Sequence, residues 1–289
     1  MQLLKKIFLP ITVPMKFIQD HFKAMLFLLL LFLLFAPQDE QSLTSNNLQE
    51  INLFGPIMNA TEIVTQIDEA TNNEHIKGVL LNVDSPGGAV APSIEIAYAI
   101  KRLKKKKPVI AYAKGTMASG SYYASIWADE IIANPGSMVG SIGVIMEGTD
   151  LSGIMQKIGI KTQTVKAGKY KQIGTSDRAW TSFEVNELNK VIQGTYDMFS
   201  KDVADARGLD ITQRDMFANA HIFTALQAKN IGLIDHLGVK YDAKNRLIQL
   251  SKVSKPVWNK EDKFDKFMKK LSASTAVTLQ TYFPSMVLK

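Results

Sequence analysis

The stretch that most constrains this chain is "HIKGVLLNVDSPGG", residues 75–88, taken with the helical pattern behind it and "PVIAYA" at 108–113. Val79 to Val83 form a short apolar run ending in a turn rich in proline and glycine, as strands buried on both faces of a parallel sheet do. Ile94, Ala97, Ile100 and Leu103 then recur at helical spacing across Ser93 to Lys107, and 108–113 reads as the next strand. Parallel neighbours need a crossover of about a dozen residues or more, so this order predicts a right-handed βαβ unit. A serine-rich helix start follows, and "EIIANP" (130–135) returns as a third strand. All-α and all-β folds are excluded, and the expected class is α/β. Farther on, Thr181 and Glu184 predict a capping box for a long helix whose stripe of Val185, Leu188, Ile192, Phe199 and Val203 reads as core, up to a stop near Gly208.

With 46% hydrophobic and 21% charged residues in 289, the chain can bury one large core or two small ones, and a disordered or fibrous protein is excluded. The net charge is +7, and its densest run, Lys104 to Lys107, closes the predicted helix, where cations complement the dipole. It reads as a solvated helix end, and without interleaved aromatics no nucleic-acid partner is expected. The absence of cysteine excludes disulfides, thiolate metal sites and a lipoprotein anchor. The four histidines, His21, His75, His221 and His236, lack metal-ligand spacing, and neither GxGxxG nor a phosphate-binding loop is present. Neither a metal nor a cofactor is expected.

The N-terminal segment 1–37 carries an apolar run over about 24–36, "AMLFLLLLFLLFA", preceded by Lys5, Lys6, Lys16 and Lys23 and followed by Asp39 and Glu40. That asymmetry predicts a membrane anchor with a cytoplasmic N-terminus and an exported remainder. Leu34, two positions before Ala36, disfavours a cleavable signal peptide, so an uncleaved transmembrane segment is expected. The earlier "IFLPITVP" is broken by two prolines and reads as a membrane-surface or linker piece. Residues 38–50 read as a linker, 51–245 as one repeat-free globular unit, and 246–289 as a Lys-rich extension or tail.

Two stretches suit acyl transfer. "DSPGG" (84–88) sets Gly87 and Gly88 at a strand end, where backbone N–H groups can face a cleft unscreened by side chains. "ASGSYYAS" (118–125) sets Ser119 at a strand-to-helix junction, followed by Gly120. Singly, the first is an ordinary turn and the second an ordinary N-cap. Their order and spacing together point to a serine that attacks a carbonyl while glycine N–H groups hold the oxyanion.

These residues, with "INLFGPI", "ANPGSMVGSIGVI", "VKAGKYKQIG" and "IFTALQAKNIGLIDHLG", resemble the bacterial signal peptide peptidase A family of serine proteases over nearly the whole exported part. The resemblance implies a crotonase/Clp-like βαβ superhelical core behind the N-terminal transmembrane segment. It implies Ser119 as nucleophile, Lys171 as general base, Ser141 as the hydroxyl that steadies the lysine, and oxyanion donors at Gly87 or Gly88 and at Gly120. The family has a second glycine where this chain has Ser121. A free lysine titrates near 10.4, so the role requires burial away from carboxylates to leave a neutral amine. Lys169 is the neighbouring rival and reads as surface. The resemblance further implies a homo-oligomer on the outer face of the cytoplasmic membrane, with serine and lysine of each site from adjacent subunits. Its substrates would be remnant signal peptides and other hydrophobic, membrane-associated peptides. Two other readings share the motifs: a crotonase-like acyl-CoA enzyme and a non-catalytic membrane scaffold.

Overall fold

In the computed structural model, residues 19–35 and 46–259 are described, and they fall in two units: a helix within 1–44, and the compact unit Ser45–Asn259. The strands are β1 (Leu48–Phe54), β2 (Gly78–Ser85), β3 (Val109–Ala118), β4 (Glu130–Ala133), β5 (Met138–Gly140), β6 (Ile222–Thr224) and β7 (His236–Leu237). The helices are α1 (Phe22–Phe35), α2 (Thr61–Asn72), α3 (Val90–Lys104), α4 (Gly120–Ser125), α5 (Ser152–Lys157), α6 (Ser182–Arg207), α7 (Arg214–Phe217), α8 (Ala225–Asn230) and α9 (Lys240–Ser251).

The sheet runs β1-β2-β3-β4-β7 with every neighbour parallel, while β5 pairs with the end of β3 and β6 lies antiparallel on β5. The apolar run of β2 has the predicted cause. Val79, Leu81 and Val83 enter the main core, and Leu80 enters a second core on the other face, where α9 brings Ala243 and Leu247 onto Leu48, Ile110 and Ile132. With both faces covered, Leu81→Ala would leave a cavity and cost about 2–5 kcal/mol.

One irregularity shapes everything at the strand ends. Val83 pairs with Ala113, but Ser85 pairs with Met117, so β3 carries two extra residues against β2. The Asp84 carboxylate fills the bulge and accepts the Thr116 N–H at 3.0 Å. Below the bulge β3 pairs with β4, and beyond it with β5, through Thr116↔Met138 to Ala118↔Gly140. A bulge re-aims a strand in this way, and here it brings the residues after Ala118 and Gly140 side by side.

Four expectations change. Among the described residues no helix is long and apolar enough to cross a membrane. The run expected to span is α1, 14 residues or roughly 21 Å of rise against a hydrocarbon core of about 30 Å. Leu48–Glu50, assigned to the linker, open β1, and the compact unit reaches Asn259 rather than 245. The stripe of α6 is core only in its second half: Phe199 and Val203 are buried, whereas Val185 is 39% exposed. The predicted capping box at Thr181 and Glu184 and the left-handed stop at Gly208 are both present. What is expected of 1–18, including "IFLPITVP", of 36–45 and of 260–289 lies outside the described residues.

Candidate active site

The β3 bulge and the β5 pairing set the geometry. Ser119 follows Ala118 and Ser141 follows Gly140, and the Ser119 N–H donates to the Gly140 carbonyl at 2.8 Å. Both serines are held at φ 52°, the left-handed side that a residue with a Cβ rarely adopts. Ser119 does not use its position as an N-cap: its hydroxyl makes no cap hydrogen bond to α4, and no other partner for it occurs among the described residues. The other two serines of the stretch are spent on structure. Ser121 Oγ accepts from Ala118 N at 2.9 Å and donates to Ser85 O at 2.7 Å, and Ser125 Oγ donates to Ser121 O at 2.8 Å. Both are fully buried.

The SPGG turn folds against the same point. Ile57 clasps it by donating to Gly87 O (2.8 Å) and accepting from Ala89 N (2.7 Å). Gly87 N donates to Ser85 Oγ at 3.2 Å, so its N–H is engaged. Gly88 N makes no hydrogen bond among the described residues, and Gly120 N lies in the first turn of α4, where helical N–H groups have no partner in the helix. A Cβ on Gly120 would stand 3.2 Å from Gly88 N and 2.2 Å from Ser93 Oγ. The approach that places these two donors together therefore requires glycine there.

Pro86, Gly88, Ser119, Gly120, Ser141 and Gly143 share one cavity of about 270 Å³, whose apolar wall comes from Val90 and Ile94 of α3, Tyr123 of α4, Val144, Ile145, and Met198 and Phe199 of α6. Tyr123 packs edge-on to Phe199 at 4.9 Å. Burial, and then the hydrogen bond to Asp202, push its hydroxyl's pKa well up, so it stays a neutral donor. No carboxylate, lysine, arginine or histidine is among the described residues lining the cavity. The sequence did not point to Tyr123, Met198, Phe199 or Ser93 as cleft residues. Only the helical stripe of α6 marked Phe199, and it carried no sign of which face of the sheet it meets.

Of the six residues singled out in the sequence, Ser119, Ser141, Gly88 and Gly120 meet in this cavity, and Gly87 stands behind it as part of the turn. Lys171 does not meet them within one chain. It is exposed, in a segment between α5 and α6, and is not among the cavity's lining residues. That segment is fastened at its far end. Arg178 donates to both Glu184 carboxylate oxygens at 2.7 Å, and the Trp180 indole donates to Thr175 O at 2.8 Å. The Lys169 ammonium lies 4.2 Å from the Phe183 ring centroid, so the rival lysine is engaged. The His221 carbonyl accepts from Ser141 N at 2.7 Å, but its ring lies tilted beside Phe223 and does not line the cavity.

The fold and the cleft thus define an α/β protein with a strained serine between two unengaged backbone donors. Residues 101–254 match the model of peptidase family S49, and the chain belongs to that family. It is 44% identical over 193 residues to a candidate protease of Methanocaldococcus jannaschii, a match covering 67% of this chain and 62% of that protein. It is 34% identical over 202 residues to a candidate protease of Synechocystis, covering 70% of this chain and 73% of the other. Among solved structures, a mutant ClpP1 from Listeria monocytogenes aligns over 67% of this chain and 93% of its own, at 16% identity and a TM-score of 0.47. A likeness of that size carries nothing about assembly or activity.

Proposed function

We propose that the protein is a serine endopeptidase whose nucleophile is Ser119. The observation that carries the reading is the strained Ser119, its hydroxyl unengaged, in an apolar cleft between the free N–H groups of Gly88 and Gly120. Ser119 Oγ attacks the peptide carbonyl and gives its proton to a neutral lysine amine. The carbonyl oxygen becomes an oxyanion held by Gly88 N–H and Gly120 N–H, an arrangement whose single donors contribute on the order of 10²–10³ in rate in other enzymes. The lysine then protonates the leaving amine, and water hydrolyses the acyl-Ser119 by the reverse of the first step.

Lys171 is our choice for that base, with the Ser141 hydroxyl, beside Ser119, steadying its amine. The lining lacks any carboxylate that would hold the lysine's proton, which favours the neutral amine once it is inserted. Because Lys171 is exposed and outside the cleft of its own chain, we assign it to the site of an adjacent copy. The apolar side chains left bare on α5 and on its segment, Ile154 (61%) and then Ile158 (64%) and Val165 (104%), suit burial against such a neighbour. The substrates of this reading are hydrophobic peptides, remnant signal peptides among them, which the apolar wall accommodates. The apolar N-terminal run would hold the chain at the cytoplasmic membrane, and the lysines before it favour a cytoplasmic N-terminus with the catalytic unit on the outer face.

The test is cleavage of a fluorogenic hydrophobic peptide by the full chain beside Ser119→Ala and Lys171→Ala. Both substitutions should remove turnover, and wild-type kcat/KM should rise with pH through a base below the ordinary lysine value. Full activity in Lys171→Ala would reassign the base, and an inert wild-type oligomer would return the scaffold reading.

A further inference from the structure

The end of the sheet opposite the cleft carries its own chemistry. The N-terminal ends of β1, β2 and β3 lie together, with Leu48 paired to Gly78 and Val79 to Val109. The C-terminal ends of α2, α3 and α9 gather around them: Lys107 Nζ donates to Ala70 O and Asn73 O, and Gly78 packs against Leu247 and Ser251. Helix C-termini attract cations, and here Lys77, Lys105, Lys106, Lys107, Lys252 and Lys255 converge on one pole.

The remaining charges there decide what the pole is for. Arg102 and Lys104 are taken by Asp68 (3.2 Å) and Asp129 (3.7 Å). None of the six lysines has an ion-pair partner among the described residues. Lys77 and Lys107 donate to carbonyls, Lys106 reaches the Asn72 amide oxygen at 3.5 Å, and Glu74 is the one acid acting on Lys107. Burial first, and then Lys77 and Lys106 beside it, draw the Lys107 pKa below its ordinary value. Glu74 and the carbonyl acceptors relieve only part of the repulsion within the cluster, since the Lys107 pKa still falls.

A second observation names the partner. The chain enters the compact unit at this same pole: Lys77 N donates to Asn47 O at 2.7 Å, and Asn47 Nδ2 donates to Lys255 O at 2.9 Å. Residues 36–45 join that point to α1, whose side chains from Ala24 to Leu30 are apolar and exposed, Phe27 at 63% and Leu28 at 62% among them. Binding of an apolar element at a bilayer strengthens with electrostatic attraction to anionic lipids, and each lysine near the surface adds to it.

We propose that this lysine pole is an electrostatic docking surface for anionic lipid headgroups, acting together with the apolar N-terminal helix. It rests on the membrane reading above and adds an orientation. The cleft lies at the other ends of β2 and β3, and the ten residues of β3 set it roughly 30 Å from the pole. The peptides it receives are therefore ones already released from the bilayer, not segments still embedded in it.

The experiment is co-sedimentation of the full chain with vesicles of phosphatidylcholine alone and with one-quarter phosphatidylglycerol, for wild type and Lys105→Gln/Lys106→Gln/Lys252→Gln/Lys255→Gln. Wild type should partition at least about tenfold more strongly onto the anionic vesicles, and 0.5 M salt should cancel the gain, as about that range of cations against an anionic surface gives. The fourfold variant should lose the gain while binding neutral vesicles as wild type does and keeping its peptidase activity. Equal binding of wild type and variant to anionic vesicles overturns the docking surface and leaves the membrane reading standing. Binding to neither vesicle overturns both. A short DNA duplex that wild type holds more tightly than anionic vesicles, and the variant does not, would give the pole to nucleic acid instead.

Discussion

Ser119 stores strain that the surrounding contacts hold in place. A residue with a Cβ at φ 52°, ψ −123° costs about 1–3 kcal/mol, and such outliers gather where geometry serves a reaction. Ser119→Gly should therefore remove turnover and yet raise stability by about 1 kcal/mol, the relief of strain less the added chain entropy of glycine. In thermal unfolding that is a rise of about 2–4 °C. Ser121 predicts the opposite pairing. Its buried hydroxyl satisfies Ala118 N and Ser85 O, so Ser121→Ala should cost about 1–3 kcal/mol while turnover per folded molecule stays at the wild-type level. If Ser119→Gly is destabilised, or Ser121→Ala folds and is inert, the assignment of roles within the serine stretch is wrong.

Among the elements, α6 does two jobs, and they separate along its length. Its second half is core, and its start is the clasp that fastens the Lys171 segment. The Arg178 guanidinium, and then the Thr181 backbone N–H, hold the Glu184 carboxyl down to about 2, against 4.5 when free. A carboxyl lowered on folding stabilises above its unfolded value and loses that contribution as pH falls through the folded one. The clasp is thus complete above pH 4.5 and should open between 4.5 and about 2. Fluorescence of Trp180, whose indole is tied to Thr175 O, should report a transition in that window, and Glu184→Gln should abolish its pH dependence. A transition unchanged in Glu184→Gln would assign it to other carboxylates. Part of this was legible in the sequence, because it is local: the capping box spans four residues, and the period of 79–83 states that β2 is buried on both faces. The bulge was not legible, since Asp84 fills it only after β2 and β3 pair. The cleft wall was not legible either, because Met198 and Phe199 reach Ser119 across about 80 residues of chain and no local period encodes that approach.

At the scale of the whole molecule, one chain brings the proposed nucleophile and both proposed oxyanion donors to an apolar pocket, and keeps the proposed base outside the cleft. A site completed in trans needs a different patch on each partner, since the segment that gives Lys171 is remote from the cavity that receives it. Such a heterologous contact, repeated, gives a ring where its rotation closes and a filament where it does not. The consequence can be measured without knowing the assembly's size. On this reading Ser119→Ala and Lys171→Ala chains should each be inert alone; mixed in equal amounts under conditions that dissociate and reassemble an oligomer, they should form four kinds of neighbouring pair. One of these sets an intact Ser119 against an intact Lys171, so recovery should approach about a quarter of the wild-type rate if assembly is random. Recovery should rise with the time allowed for exchange and vanish when the two variants are mixed without it. Inertness of the mixture after full exchange would mean that both groups act within one chain. The segment between α5 and α6 would then have to swing its lysine into the cleft beside Ser141, carrying Ile158 and Val165 with it.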